Sequence, residues 1–180
     1  RAVDWEVVAA AVLFHDAVNL PKDDPRRGEA SAMAAEVAVE FFEGRGTFGE
    51  ERLDIVRRAI ERHSFSRGER PESLEARIVQ EADRLEAIGA VGIARTFYVS
   101  ATMDGQIAHP SDPFADQRDR DDTAYAIDHF FEKLLKLRGD FETETGRRMA
   151  DRRHEVLVEF IEQFSRETGV SLPDDEMSGQ

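Results

Sequence analysis

Cysteine is absent from this 180-residue chain, which excludes disulfides and thiolate metal ligands together. Long hydrophobic runs are missing too. No apolar stretch approaches the roughly 20 residues needed to cross a bilayer, and no signal peptide is visible. A cytoplasmic protein without a membrane partner is therefore expected. Positive charge is scarce: 24 Lys and Arg stand against 38 Asp and Glu, a net charge of −14. Proteins that follow duplex nucleic acid neutralise phosphates with clustered bases, and a bulk charge of this sign opposes that, so no nucleic-acid partner is expected. The basic pairs Arg26-Arg27, Arg57-Arg58, Arg147-Arg148 and Arg152-Arg153 are flanked by acids and read as solvated helix surface. What is present is 41% hydrophobic residues, enough for the core of one ordinary domain.

Nothing in the chain alternates convincingly with the period of a strand, whereas helical periodicity recurs throughout. Asp4 is placed to cap a first helix that ends near His15-Asp16. Further helices are predicted over about 29–42, 50–63, 73–88, 90–103, 122–137 and 143–164, giving an all-α bundle of about seven helices. Residues 18–25, 44–49, 66–71 and 104–120 read as loops, and the acidic tail 173–180 as disordered.

Chemistry concentrates at a few positions. His15 and Asp16 close the most apolar run of the chain, residues 7–14, which has no polar face and so calls for burial on all sides. His15 continues the face of Val8, Ala11 and Val12, and His63 continues that of Leu53, Val56 and Ile60. Asp83 sits on the edge of an apolar stripe with Val79. A histidine and a carboxylate carried inward need compensation, either from hydrogen-bonded neighbours or from a divalent cation. One inward histidine is usually a satisfied core residue. His15, Asp16, His63 and Asp83 together point to a metal or catalytic site. His109, in a loop, and His154, among charges, read as exposed and incidental. Trp5, Phe41, Phe42, Phe130, Phe131, Phe160 and Phe164 have helical core spacing and do not form a cofactor box.

The pair His15-Asp16 at the end of an apolar helix, with Asp83 later inside "EADRL", resembles the HD superfamily of metal-dependent phosphohydrolases. The blocks "FHDAVNLPKDDP", "IERHSFS", "IVQEADRLEAIGAVGIARTF", "AIDHFFEKLLKL" and "TETGRRMADRR" resemble a bacterial subgroup of it, from Val7 to Glu167. The resemblance implies an HD domain over 1–172 and a metal held by an upstream histidine, the HD pair and the later aspartate. Carried over, His15, Asp16 and Asp83 are metal ligands. No histidine precedes His15, and the chain opens on Arg1, so a helix bearing that ligand is expected upstream. Its place beside Trp5 to Phe14 would then be open, and a second copy of the chain could cover it, making a homo-oligomer possible. Asn19 stands where many members carry lysine.

Imidazole with carboxylate suits Mn, Fe, Ni, Zn or Mg. Such an ion lowers the pKa of water and shields phosphate oxygens. Asp16 is a candidate for orienting the attacking water, and His63 for acid/base help or a second-metal ligand. Arg84, beside Asp83, and Lys133, one turn after His129, are candidates for holding substrate phosphate, as alternatives to ordinary surface or ion-pairing roles. The expected function is metal-dependent hydrolysis of a small phosphorylated molecule, a nucleotide being the leading kind. The alternative is a non-catalytic HD-fold module that binds a ligand or partner.

Overall fold

The computed structural model describes residues 2–20, 24–64 and 70–173, and every regular element among them is helical. The chain divides into two compact units, Arg1–Asp83 and Arg84–Gln180.

In the first unit, α1 (Trp5–Phe14) begins where Asp4 accepts the amide of Val7 at 3.3 Å. The same carboxylate takes two bonds of 2.8 Å from Arg52 on α3 (Glu50–Glu61), which also reaches Glu6 at 2.6 Å. One arginine thus ties the start of α1 to the start of α3, and its hydrogen bonds hold the Asp4 carboxyl below the ordinary range. Between them α2 (Ala30–Glu43) presents Ala34, Ala35 and Ala38, all fully buried. Small side chains let the helix backbones approach, and Val7, Ala11, Val56, Ile60 and Val79 complete the core. Phe14, Phe41, Phe42 and Phe48 form a run of edge-to-face and tilted contacts with centroids 5.0 to 5.2 Å apart. The fourth helix, α4 (Leu74–Glu86), carries Val79 and contains the boundary between the units.

One expectation about α1 needs correcting. The helix is not buried all round: Trp5 is 66% and Leu13 78% exposed, with Val12 also exposed. The buried residues Val7, Val8, Ala10 and Ala11 occupy one side. A uniformly apolar segment gives no sign of which side is covered, so periodicity is silent there. Met33, Val37 and Phe41 of α2 are exposed as well.

In the second unit, α5 (Gly89–Thr102) starts at Gly89, whose φ of +77° suits a residue without Cβ. Gly92 is required for a different reason, since a Cβ there would meet the Ala87 carbonyl oxygen at 2.2 Å. The segment predicted as one helix over 122–137 differs from expectation. Asp121 Oδ1 accepts the amides of Thr123 and Ala124 and the Thr123 hydroxyl, holding a turn that competes with helix. The helix α6 (Ala126–His129) therefore starts later, then widens to a π turn (Phe130–Leu134) and tightens to a 3₁₀ segment (Leu135–Asp140). Helix α7 (Glu144–Thr168) is capped by Thr143 and runs past the predicted end, stopping at Gly169 with φ +70°. Its Leu157 and Ile161 join Ile127, Phe130 and Leu134 as fully buried residues of one core.

The loop before α6 is ordered by charge. Arg118 clamps Asp128 with bonds of 2.6 and 2.7 Å, and the Asp121 amide donates to the same carboxylate at 2.7 Å. An isolated bridge joins Gln106 to Tyr125. Most of the predicted tail 173–180 and of the loop 66–71 lies outside the described residues, as does part of the loop 18–25.

Candidate metal centre

Helix ends leave backbone carbonyls without partners, and two of them build this site. α1 stops at Phe14, and His15, the next residue, sets Nδ1 2.7 Å from the carbonyl of Val12. α3 stops at Glu61, two residues short of the predicted end, and His63 sets Nδ1 2.7 Å from the carbonyl of Ile60. A carbonyl oxygen only accepts, so each Nδ1 carries a proton, and in the neutral ring Nε2 is the nitrogen with the free lone pair. That is the usual orientation of a metal-binding histidine, with its far nitrogen tied to the protein.

The two rings meet edge to face with centroids 5.0 Å apart. Asp16 presents one oxygen to each: Oδ2 lies 3.5 Å from His15 Nε2, and Oδ1 3.8 Å from His63 Nε2. Ligand atoms of His15, Asp16 and His63 all fall within 4.8 Å of one another. From α4, Asp83 brings Oδ1 to 3.9 Å from His15 Nε2. His63 is buried, His15 and Asp83 are partly open, and the Asp16 side chain is 66% exposed.

Two carboxylates and two imidazoles thus share one corner, and among the described residues neither Asp16 nor Asp83 is paired with a lysine or arginine. The C-terminal ends of α1 and α3 add partial negative charge at the same place. A divalent cation fits such a donor set in charge and in ligand type. His63, expected to converge with these residues as acid/base help or a second-metal ligand, lies in the same cluster.

Ion pairs on α3 hold the His63 segment. Arg57 bridges Asp54 and Glu61 at 2.7 and 2.9 Å, while Arg58 and Arg62 share Glu72 at 2.8 and 2.6 Å. Arg62, and to a lesser degree Arg58, lower the Glu72 carboxyl from its ordinary value. Behind the site, Gln80 donates 2.8 Å to the Arg62 carbonyl, fixing the chain just before His63.

The two candidates for holding phosphate, Arg84 and Lys133, lie in the second unit. Arg84 donates 2.9 Å to the carbonyl of Asp140. Lys133 is half-buried in the π turn. Asn19 is exposed. Two histidines differ from expectation. His109 is half-buried: its Nδ1 accepts the amide of Asp112 at 3.1 Å, and its ring packs on Tyr125. His154 is buried on the inner face of α7 between Ala150 and Leu157, with no hydrogen-bond partner on either nitrogen among the described residues. Its charged neighbours in sequence lie on the outer face of the helix, which is why local composition misleads.

Comparison with known proteins places these features in a family. The HD domain profile matches residues 2–88, which include all four residues of the cluster. The Bacillus subtilis protein YpgQ is 35% identical over 168 residues, spanning 91% of this chain and 73% of YpgQ. The chain belongs to the HD domain family. The crystal structure of YpgQ in complex with ADP matches with a TM-score of 0.67 at 33% identity, over 92% of this chain and 75% of that one. A crystal structure from Lactobacillus plantarum matches at TM-score 0.68 and 31% identity, over 93% and 78% of the two chains. An HD-superfamily hydrolase from Bacillus thuringiensis matches at TM-score 0.60 and 26% identity, over 93% and 87%. The chain thus has the fold of the HD-superfamily hydrolases. Among the described residues no helix is long and apolar enough to cross a membrane.

Proposed function

We propose that this protein is a metal-dependent phosphohydrolase acting on a small phosphorylated substrate of the nucleotide class, with residues 1–172 as its working domain. The observation that carries the reading is the convergence of His15, Asp16 and His63, with Asp83 3.9 Å from His15. That the related YpgQ crystallised with ADP supports a nucleotide as ligand.

In this reading His15, Asp16 and Asp83 are the residues that would hold the ion. A bound divalent ion neutralises phosphate oxygens and makes water a better nucleophile. The protein's own part is orientation and proton transfer. The Nδ1 bonds to Val12 and Ile60 keep both imidazoles from turning, so their Nε2 atoms stay aimed at the carboxylates. Asp16 Oδ1, on the side facing His63, accepts from the attacking water and fixes its direction. His63 Nε2, shielded from solvent and facing Asp16 Oδ1, takes up the proton that this water gives. Arg84 and Lys133 are proposed as phosphate-holding groups on the strength of the family resemblance.

The test is hydrolysis of nucleoside mono-, di- and triphosphates with Mn, Fe, Ni, Zn and Mg in turn, on wild type and Asp83→Ala. Wild-type release of phosphate or pyrophosphate that needs the ion and is lost in a folded Asp83→Ala supports the reading. Wild-type inactivity on every substrate with every ion, alongside retained nucleotide binding, overturns it in favour of a non-catalytic binding module.

A further inference from the structure

Outside the metal centre one pair of side chains has the form of a working dyad. His129, the last residue of α6, has Nδ1 2.8 Å from Oδ2 of Asp122. A carboxylate only accepts, so Nδ1 carries the proton and the ring is locked with Nε2 pointing away from Asp122. Among the described residues Nε2 has no partner, and the side chain is 26% exposed, so that nitrogen is open to a ligand.

Two further observations mark the same place. The helix departs from α geometry immediately after His129, opening into the π turn Phe130–Leu134. Such turns are rare and are often kept at functional positions. Lys133 lies within this turn, about one helical turn beyond His129 whether counted by the α or the wider π repeat. Its identity also carries information. The chain has three lysines against 21 arginines, and two of the three, Lys133 and Lys136, fall in this short stretch. Lys136 pairs with Glu132 at 3.5 Å, at the usual four-residue spacing. In a chain that otherwise writes its cations as arginine, a half-buried lysine suits a compact ammonium, which serves phosphate as a point charge where a planar fork does not fit.

We infer that Asp122, His129 and Lys133 form a phosphate-binding site in the second unit, taking the phosphate or diphosphate group of the ligand. In its doubly protonated form, with Nδ1–H on Asp122, His129 donates from Nε2 and Lys133 supplies charge, while Asp122 is a positioning residue that acts only through the ring. This deepens the proposed function and rests on it for the ligand's class. The binding site itself needs no metal.

The experiment titrates the full chain in EDTA at pH 6 with pyrophosphate, ADP and adenosine, read by calorimetry. Pyrophosphate and ADP binding, weakened at least tenfold by His129→Ala and by Lys133→Met and severalfold by Asp122→Asn, is expected. His15→Ala is expected to bind as wild type does under these conditions. His129→Gln fills the same space and keeps a donor; it should retain binding better than His129→Ala, and it is read alone where His129→Ala does not fold. Pyrophosphate without ADP binding would identify the free anion as the source, and both together a nucleotide's phosphates; either supports the site. Adenosine binding as tightly as ADP, unchanged affinity in the His129 and Lys133 variants, no binding by wild type, or equal loss in His15→Ala would overturn it. If the anion binds as described while no phosphohydrolysis is found with any ion, the proposed function falls and this site stands.

Discussion

Replacing Asp128 with alanine should be among the most destabilising single changes outside the apolar core. The Asp128 side chain is 1% and that of Arg118 17% exposed, and the two share bonds of 2.6 and 2.7 Å. Arg118 stays in place after the change, held over Tyr125 at 4.6 Å and bonded to the Asp112 carbonyl, so its charge is left in a poorly solvated position. The amide of Asp121 loses its acceptor as well. Breaking a buried pair from one side costs about 3–5 kcal/mol. For a chain of this size that is a fall in Tm of roughly 6–20 °C, at about 2–4 °C per kcal/mol. Urea denaturation followed by circular dichroism measures it, with Asp119→Ala as a control: that residue is exposed and should change stability by no more than about 0.5 kcal/mol. The paired variant Arg118→Met/Asp128→Leu should lose less than Asp128→Ala, because no charge is then stranded. A loss below about 1 kcal/mol for Asp128→Ala, or a paired variant worse than the single one, would refute the reasoning.

Three other outcomes follow from the geometry. Hydrogen bonds from Arg52, from Arg57 and from Arg62 respectively hold Asp4, Asp54 and Glu72 below their ordinary values, and the amide of Gln117 does the same for Asp112. Carboxyls depressed in the folded state stabilise it above their unfolded pKa, near 4, and lose that effect as pH falls through the folded value. Tm should therefore be level from pH 5 to 7 and fall below about pH 4; a Tm that rises toward pH 3 would contradict this. Gly92→Ala forces a Cβ against the Ala87 carbonyl and should cost about 1–3 kcal/mol in a denaturation experiment, despite the better helix propensity of alanine. His63→Gln should lower turnover by about 10²–10⁴-fold while metal content stays near that of wild type, since its assigned part is proton transfer. Metal lost in step with activity would instead make His63 a ligand.

Much of this architecture is legible in the sequence because helices announce themselves by period and by punctuation. Asp4 marks a real helix start, and the phase that points His15 and His63 inward holds even though both residues lie just past their helix ends. The reason is local: each ring returns to a carbonyl of the last turn, a bond that follows from position alone. Period fails where every residue is apolar, as in α1, whose exposed side carries Trp5 and Leu13. It also fails at the turn after Asp121, where side-chain bonds delay the helix, and at the π turn, whose five-residue repeat has no marker in composition. Asp122 and His129 are seven residues apart across that turn, so only coordinates pair them. His154 is hidden by charged neighbours that point the other way.

The metal centre is the claim on which the proposed function depends, and titration of metal-free protein with Mn²⁺ tests it most directly. Wild type, His15→Ala and Asp83→Ala are compared by calorimetry, with circular dichroism to establish that each is folded. The account predicts one saturable site in wild type and affinity at least about 10-fold weaker in each variant, because each removes a proposed ligand. Equal Mn²⁺ affinity in wild type and in folded His15→Ala and Asp83→Ala would contradict it.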